Sequence, residues 1–421
     1  MNDPAASTEP RWHHVAMAID EPRLLDVGAA TAASLRSSGV VLHHGWEVAI
    51  ALGSRGISDL STVVDEVVRW VREQGAVPFF VPAMGSHGGA TAEGQRAVLA
   101  AYGFTPERFG CEVRATMDVV ELPRGDCPVM VVTDAEAAAA DATIIVNRVK
   151  PHTDFHGPVE SGISKMSAIG LGNRVAAEAL HSYGVRGLRD LMPLVAKQVL
   201  AHSNIVLGVA IVENALDQTM IVEALPVSKV REREVQLLEV ARAHMPRLLV
   251  EDLDVLIIDQ MGKDISGVGM DTNVIGRLLV TGESEPASPR VSMISCHHLT
   301  SASHGNATGI GLADVVTRAV ADDIDHAATR ENIVTSGFLL RGKLPVVADD
   351  DRHAWQLCCR GAGVIDVAGV RAMRIVDTLH VAEAWVSDAV LEELGGDTRI
   401  TVARADLEMF DAAGRLTAFS L

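Results

Sequence analysis

A histidine set among glycines can move a proton, and this sequence places one in Met84-Gly85-Ser86-His87-Gly88-Gly89-Ala90-Thr91. Glycines admit strained turns and let the backbone approach a ligand closely, so His87 falls where an acid or base is useful. A solvated or capping turn histidine is the plain alternative. A denser run follows: Asn147-Arg148-Val149-Lys150-Pro151-His152-Thr153-Asp154-Phe155-His156-Gly157, then Glu160-Ser161-Gly162-Ile163-Ser164-Lys165-Met166. His152 and His156 stand four apart, but Pro151 and Gly157 oppose the helix that would make them a shared metal-ligand face. Arg148, Lys150, Lys165 and two histidines are grouped beside one apolar run of an acidic chain. An anion site is built that way; a basic surface loop is the alternative.

Gly170-Leu171-Gly172-Asn173-Arg174 then opens a helical stretch that contains His181. Val175 stands where the dinucleotide fingerprint needs its third glycine, and no Gly-Lys-Ser/Thr phosphate loop occurs. Glycine-freed amides at a helix start can still hold a phosphate. In the second half, Asp259-Gln260-Met261-Gly262-Lys263-Asp264 offers Lys263 for a carboxylate, with Gln260 donating beside it. An ion pair with Asp264 is its plain alternative. Ser303-His304-Gly305-Asn306 is a glycine-rich turn, and Cys358-Cys359 reads as packing.

These residues need a frame, and the frame is visible as alternation. Glu47–Leu52 is strand-like, and residues 58–75 carry Val63, Val64, Val67, Val68 and Val71 at helical spacing, with Ser58 as N-cap and Gly75 as stop. Residues 76–82 return to strand, and a helix capped by Thr91 follows over 91–103. Further buried strands are expected at 129–133, 143–146 and 205–212, a long exposed helix at 230–243, and a new series of strands from 253–259. Strands at 291–295 and 345–348 flank a helix expected over 311–321. The pattern predicts an α/β protein of two α/β domains, residues 1–248 and 249–421, around largely parallel sheets. The polar clusters follow strands, which places the active site beyond their carboxyl ends, in the cleft between the domains.

Composition narrows the function classes. The chain has 421 residues, 48% of them apolar, and 36 Lys plus Arg against 55 Asp plus Glu give a net charge of −19. That charge disfavours nucleic acid and anionic membrane surfaces as partners. No apolar run has the length of a membrane span, the N-terminal residues are polar, and five cysteines form no CxxC pair. A reduced, cytoplasmic protein is the expectation.

Taken together, the clusters resemble the nickel-dependent lactate racemase family, from about Arg55 to beyond Gly309. The resemblance implies two α/β domains and a nickel-pincer nucleotide, the nickel complex of pyridinium-3,5-bisthiocarboxylic acid mononucleotide. It implies Lys165 in Ser-Gly-Ile-Ser-Lys as the covalent cofactor link and His181, at the family's interval, as the nickel ligand. His87 and His152 match the two acid/base histidines, and Gln260 with Lys263 match the substrate-binding pair. Arg55 matches an arginine at the start of the site, with Ser54 beside it in a nucleotide-contacting position. The stretch from His152 to Lys165 is longer than in the lactate enzyme and holds His156, a second candidate base; Leu52 stands where the family has an aspartate. The implied activity is a racemase or epimerase, an isomerase inverting the chiral carbon of a 2-hydroxy acid or sugar acid by hydride transfer. Cofactor-maturation enzymes are its implied partners. Two other classes remain open: a metal-assisted hydrolase or lyase using His152, His156 and Asp154, and a non-catalytic carrier of a nucleotide-like cofactor.

Overall fold

The computed structural model describes residues 9–53 and 56–419. It divides into two compact units, residues 21–245 and a second that joins the segment up to Asp20 to everything from Pro246.

In the first unit a five-stranded sheet runs in the order Val77–Pro82, Glu47–Leu52, Ala142–Arg148, Ile205–Glu213, Thr219–Pro226. The first four strands are parallel and the last turns back antiparallel. Continuous apolar strands such as Glu47–Leu52 suit a sheet covered on both faces, and its last five residues are buried. The helix Leu60–Glu73 covers one face with the expected valines, each buried, at roughly 1.5–3 kcal/mol per side chain. Ser58 does not cap it: Asp59 holds the N-cap position at φ 53°, while the Ser58 amide donates to Glu213 Oε1 at 2.6 Å. Thr91 does cap the helix Ala92–Ala101, accepting from the Gly94 amide at 3.0 Å. The strand expected at 129–133 is instead Val132–Asp134, in a two-stranded ribbon with Val119–Glu121.

The second unit has an eight-stranded sheet in the order Val346–Ala348, Val315–Thr317, Arg290–Leu299, Asp252–Met261, Ala372–Ile375, Glu383–Ser387, Trp12–Met17, Ile400–Leu407. The first five pair in parallel and the remaining three pairings are antiparallel, so Trp12–Met17 again runs with the first five. Trp12–Met17 departs from the expected block 1–248, because it pairs with Glu383–Ser387 and Ile400–Leu407. The helix expected over 311–321 is a 3-10 turn, Ile310–Leu312, then the strand Val315–Thr317 and a short helix, Arg318–Asp323. The β-branched pair Val315-Val316 prefers the pleat beside Ser295 and Cys296. Cys358 and Cys359 pack in the core with Trp12 and Trp355, and burial pushes both thiols up to about 12. The molecule is thus a mixed α/β protein with two main sheets. Among the described residues no helix is long and apolar enough to cross a membrane.

Candidate functional site

Parallel strands end at the same edge, so the loops after Val77–Pro82 and Ala142–Arg148 share one rim of the first sheet. The first loop holds His87, the second His152. Ser54 and Arg55, after Glu47–Leu52, lie outside the described residues.

Lys165 ends the helical turn Gly162–Lys165, and three contacts fix that turn. Buried Glu234, from the helix Val227–Ala243, accepts from the amides of Ile163 and Ser164. Asn147 Nδ2 donates to the Gly162 carbonyl at 2.9 Å. Gly162 sits at φ +76°, where a Cβ would stand 2.1 Å from Glu234 Oε1, so any other residue is strained and must displace that carboxylate. The chain continues as a π-helical turn, Met166–Gly170, a form that recurs at functional sites. Lys165 is half-buried. Loss of water pushes its amine down to about 8, with Asp154 opposing the shift and Lys150 adding to it. An amine with that pKa is substantially neutral near pH 8 and therefore nucleophilic.

His181 ends the helix Asn173–His181. Its ring keeps access to water, yet crowding by protein atoms lowers its pKa, and the charge of Lys165 lowers it further. Asp154 opposes that shift as well. Lys165, His181 and Asp154 therefore lie within reach of one another's charge. The helix start is anchored by Asn173, buried at φ 51°, whose Nδ2 donates to Asp134 Oδ2 at 2.9 Å and to the Thr116 carbonyl at 3.2 Å. Burial raises the Asp134 carboxyl to about 6 despite those donors.

His152 sits in a stapled loop. Its backbone amide donates to Glu160 Oε2 at 2.8 Å, and the Gly157 amide donates to Glu160 Oε1 at 2.7 Å. Glu160 is fully buried and also receives Arg242. Burial opposes ionisation of that carboxyl, but His156, the two amides and Arg242 outweigh it and hold its pKa below the usual value. The Asp154 amide donates to His152 Nδ1 at 3.1 Å, so a neutral ring carries its proton on Nε2. Phe155, completely buried, lies against the ring at 4.7 Å between centroids. His156 is exposed, and its Nδ1 faces Glu160 at 3.4 Å. His152 and His156 thus address different carboxylates, His152 approaching Asp154 at 3.7 Å. Among the described residues no three His, Cys, Asp or Glu side chains gather as a metal-ligand set.

The His87 loop is tied to the same framework. The Gly85 amide donates to the Gly170 carbonyl at 3.1 Å, and a Cβ on Gly85 would stand 3.2 Å from Ile169. The loop with His87 therefore packs on the π-turn that follows Lys165. Gln95 Nε2 donates to the Gly85 carbonyl at 2.9 Å from the helix behind. His87 itself is exposed.

In the second unit Gln260 lies at the end of Asp252–Met261, and its Nε2 donates to buried Asp377 at 3.3 Å. The Lys263 amine donates to Asn332, and its backbone amide donates to Ser303 Oγ at 3.1 Å. Asp264 Oδ1 accepts from the Thr300 hydroxyl. Sequence reasoning did not single out Glu160, Glu234 or Asp377, the three carboxylates that hold these loops. Only Glu160 carried a local signal, an acid embedded in a basic run.

No family model matches the chain, and no curated protein matches it. Among solved structures it is similar to the lactate racemase apoprotein from Thermoanaerobacterium thermosaccharolyticum, with 11% identity and a TM-score of 0.50, over 88% of this chain and 99% of that one. A protein from Thermotoga maritima overlaps 66% of this chain and 72% of its own, at 11% identity and a TM-score of 0.43. The first of these likenesses shows the architecture: this chain has a lactate racemase-like fold.

Proposed function

We propose that the protein is a racemase or epimerase that inverts the carbinol carbon of a 2-hydroxy acid or sugar acid. The observation that carries this reading is the pairing of the water-depleted Lys165 amine with His181, sixteen residues on and within its field, on a lactate racemase-like fold. The donor set fits a nickel-pincer nucleotide: a nucleophilic amine can carry the covalent link, and an imidazole held neutral is a good nickel ligand. Lys165 and His181 would hold the group, which when bound supplies a hydride acceptor that amino acids lack.

The chain's own residues handle the proton. His152 takes the hydroxyl proton of one enantiomer at Nε2, which requires the tautomer protonated on Nδ1, with Asp154 Oδ2 at 3.7 Å facing that proton in place of the amide contact. His87 serves the other enantiomer from the neighbouring loop. His156 is assigned to the loop's ion network with Glu160 rather than to proton transfer. Lys263, with Gln260, binds the substrate carboxylate. Cofactor-maturation enzymes are the partners this reading requires.

The test is a reaction in deuterium oxide, using protein co-produced with the cofactor-building enzymes and a panel of chiral 2-hydroxy acids. Hydride transfer returns the same hydrogen, so the inverted product should retain protium at the chiral carbon. Deuterium at that carbon, or no inversion of any panel member by protein carrying the adduct mass, refutes the proposal.

A further inference from the structure

The carboxyl end of the second unit's parallel strands carries a hydrogen-bonded string that the proposed proton chemistry leaves unused. Ala372–Ile375 runs parallel to Asp252–Met261, and the Gln260 amide donates to the Val376 carbonyl at 3.0 Å, so the turn after Ala372–Ile375 lies beside Gln260. That turn is Asp377-Thr378-Leu379-His380. Asp377 is 2% exposed, and its two oxygens are divided between two duties. Oδ2 accepts from Gln260 Nε2, while Oδ1 accepts from the amides of Leu379 and His380 at 2.9 and 3.1 Å. Oδ1 also holds His380 Nδ1 at 2.8 Å. One carboxylate therefore separates Gln260 from the His380 ring. A second staple fixes the turn: the Asp271 amide donates to Thr378 Oγ1 at 3.0 Å.

A carboxylate on Nδ1 orients an imidazole and leaves Nε2 as the atom it presents. The His380 side chain is 71% exposed, so Nε2 is open to a solute. Buried Asp377 fixes the ring with Nδ1–H as its donor, so Nε2 is a lone pair in the neutral ring and a donor in the protonated one.

We propose that His380 is a specificity-determining residue that reads a second carboxylate on the substrate, so that the preferred 2-hydroxy acid is a dicarboxylate. The inference rests on the racemase reading for calling that ligand the substrate, with Lys263 taking the carboxylate next to the hydroxyl. An apolar tail gains nothing from His380 Nε2, whereas a carboxylate gains a charge-assisted hydrogen bond from the protonated ring.

Calorimetry on the full-length, cofactor-free protein at about pH 5.5, where an ordinary imidazole is mostly protonated, tests this without turnover, using 2-hydroxybutanedioate and 2-hydroxybutanoate as probes. Wild type should bind the dicarboxylate at least about tenfold more tightly. His380→Gln should erase that margin and leave affinity for the monocarboxylate within about twofold, since only the second carboxylate loses its partner. A margin that survives in His380→Gln overturns the proposal, as does a wild type with no preference or no affinity for the dicarboxylate. Racemisation is read separately on the loaded protein. A chain inert towards every 2-hydroxy acid, yet keeping a His380-dependent margin, refutes the racemase reading and leaves His380 as the anion contact.

Discussion

The two histidine loops on the rim of the first sheet are built on opposite principles. The loop around His152 is closed by a buried carboxylate, an arginine, a buried phenylalanine and a ring nitrogen already committed to a backbone amide. The loop around His87 is made of glycines at φ +60°, +66° and +66°, with Ala90 at φ 54°, and its histidine is exposed. Its ties include the Gly85 amide on the Gly170 carbonyl, the Gln95 side-chain amide on the Gly85 carbonyl and the Thr91 hydroxyl on the Gly94 amide, all towards its ends. One loop holds its ring in place through buried side-chain contacts; the other leaves its ring exposed on a run of left-handed backbone. Two histidines proposed as bases for opposite faces of one carbon need not be equally preorganised. This pair implies that the His152 side is the rigid reference.

The comparison breaks most completely if Lys165 is dispensable, because both loops pack around its turn. Lys165→Ala should abolish any covalent cofactor adduct, read as intact mass, while leaving the thermal transition nearly unchanged. The residue lies in a turn held by Glu234 and Asn147, and its loss opens no apolar cavity. An adduct of unchanged mass on the Ala variant moves the link elsewhere. His181→Ala should keep some adduct and lose nickel by elemental analysis.

Next in size is the contrast between the two histidines of the stapled loop. His152→Ala should lower racemisation in both directions by about a hundred- to ten-thousand-fold, the range general acid–base groups supply. His156→Ala should cost only a few-fold, about what loosening one contact to Glu160 does. The reverse ranking would give the proton-transfer role to the exposed ring and dissolve the distinction between the loops.

The frame that holds these loops was legible wherever the signal was local. The valines of Leu60–Glu73, the cap at Thr91 and the buried strands around Glu47–Leu52 and Ile205–Glu213 follow from spacing and side-chain type alone. Trp12–Met17 was not legible, since its partners Ser387 and Leu407 lie some hundreds of residues away and nothing nearby announces them. The short Val315–Thr317 strand was hidden for a different reason. Two valines among alanines match either period, and the neighbouring strand decided. Chemistry-bearing residues stood out through unusual company, glycines around His87 and bases around His152 and Lys165. The carboxylates that position them did not: Glu234 looks like one more acid on a charged helix until its oxygens are seen on the Ile163 and Ser164 amides.

Glu234 also gives the rigid loop a signature in pH. Burial raises its carboxyl to about 7, against an unfolded value of 4.5. The folded chain then binds the proton more tightly than the unfolded chain, so stability falls as pH rises between about 4.5 and about 7 and is level beyond. The full difference is on the order of 3 kcal/mol. Asp134, raised from 3.8 to about 6, acts in the same direction at lower pH. Glu234→Gln cannot ionise but can still accept from both amides, so its urea midpoint should decline less over that window than that of wild type. Parallel curves would mean that Glu234 stays charged in the folded state, and the turn under Lys165 would owe its order to an ion rather than to a neutral acid.

The smallest expected effect tests the open loop on its own terms. Gly88 and Gly89 share φ +66°, a conformation that costs an alanine roughly 1–2 kcal/mol. Their surroundings differ. A Cβ on Gly89 meets nothing within 4 Å, whereas one on Gly88 would stand 2.6 Å from the Gln95 amide nitrogen. Backbone cannot yield as a side-chain end can, so Gly88→Ala must push the loop off the helix Ala92–Ala101 and displace His87. Gly89→Ala should therefore lower stability by about 1 kcal/mol, the conformational cost alone, with racemisation close to wild type. Gly88→Ala should cost more stability and also lower turnover, and the loss should be greater for the enantiomer whose hydroxyl His87 serves when each direction is timed separately. Equal losses in the two variants would show that φ alone shapes the loop. Undiminished turnover in Gly88→Ala would show that His87 finds its place without the helix behind it.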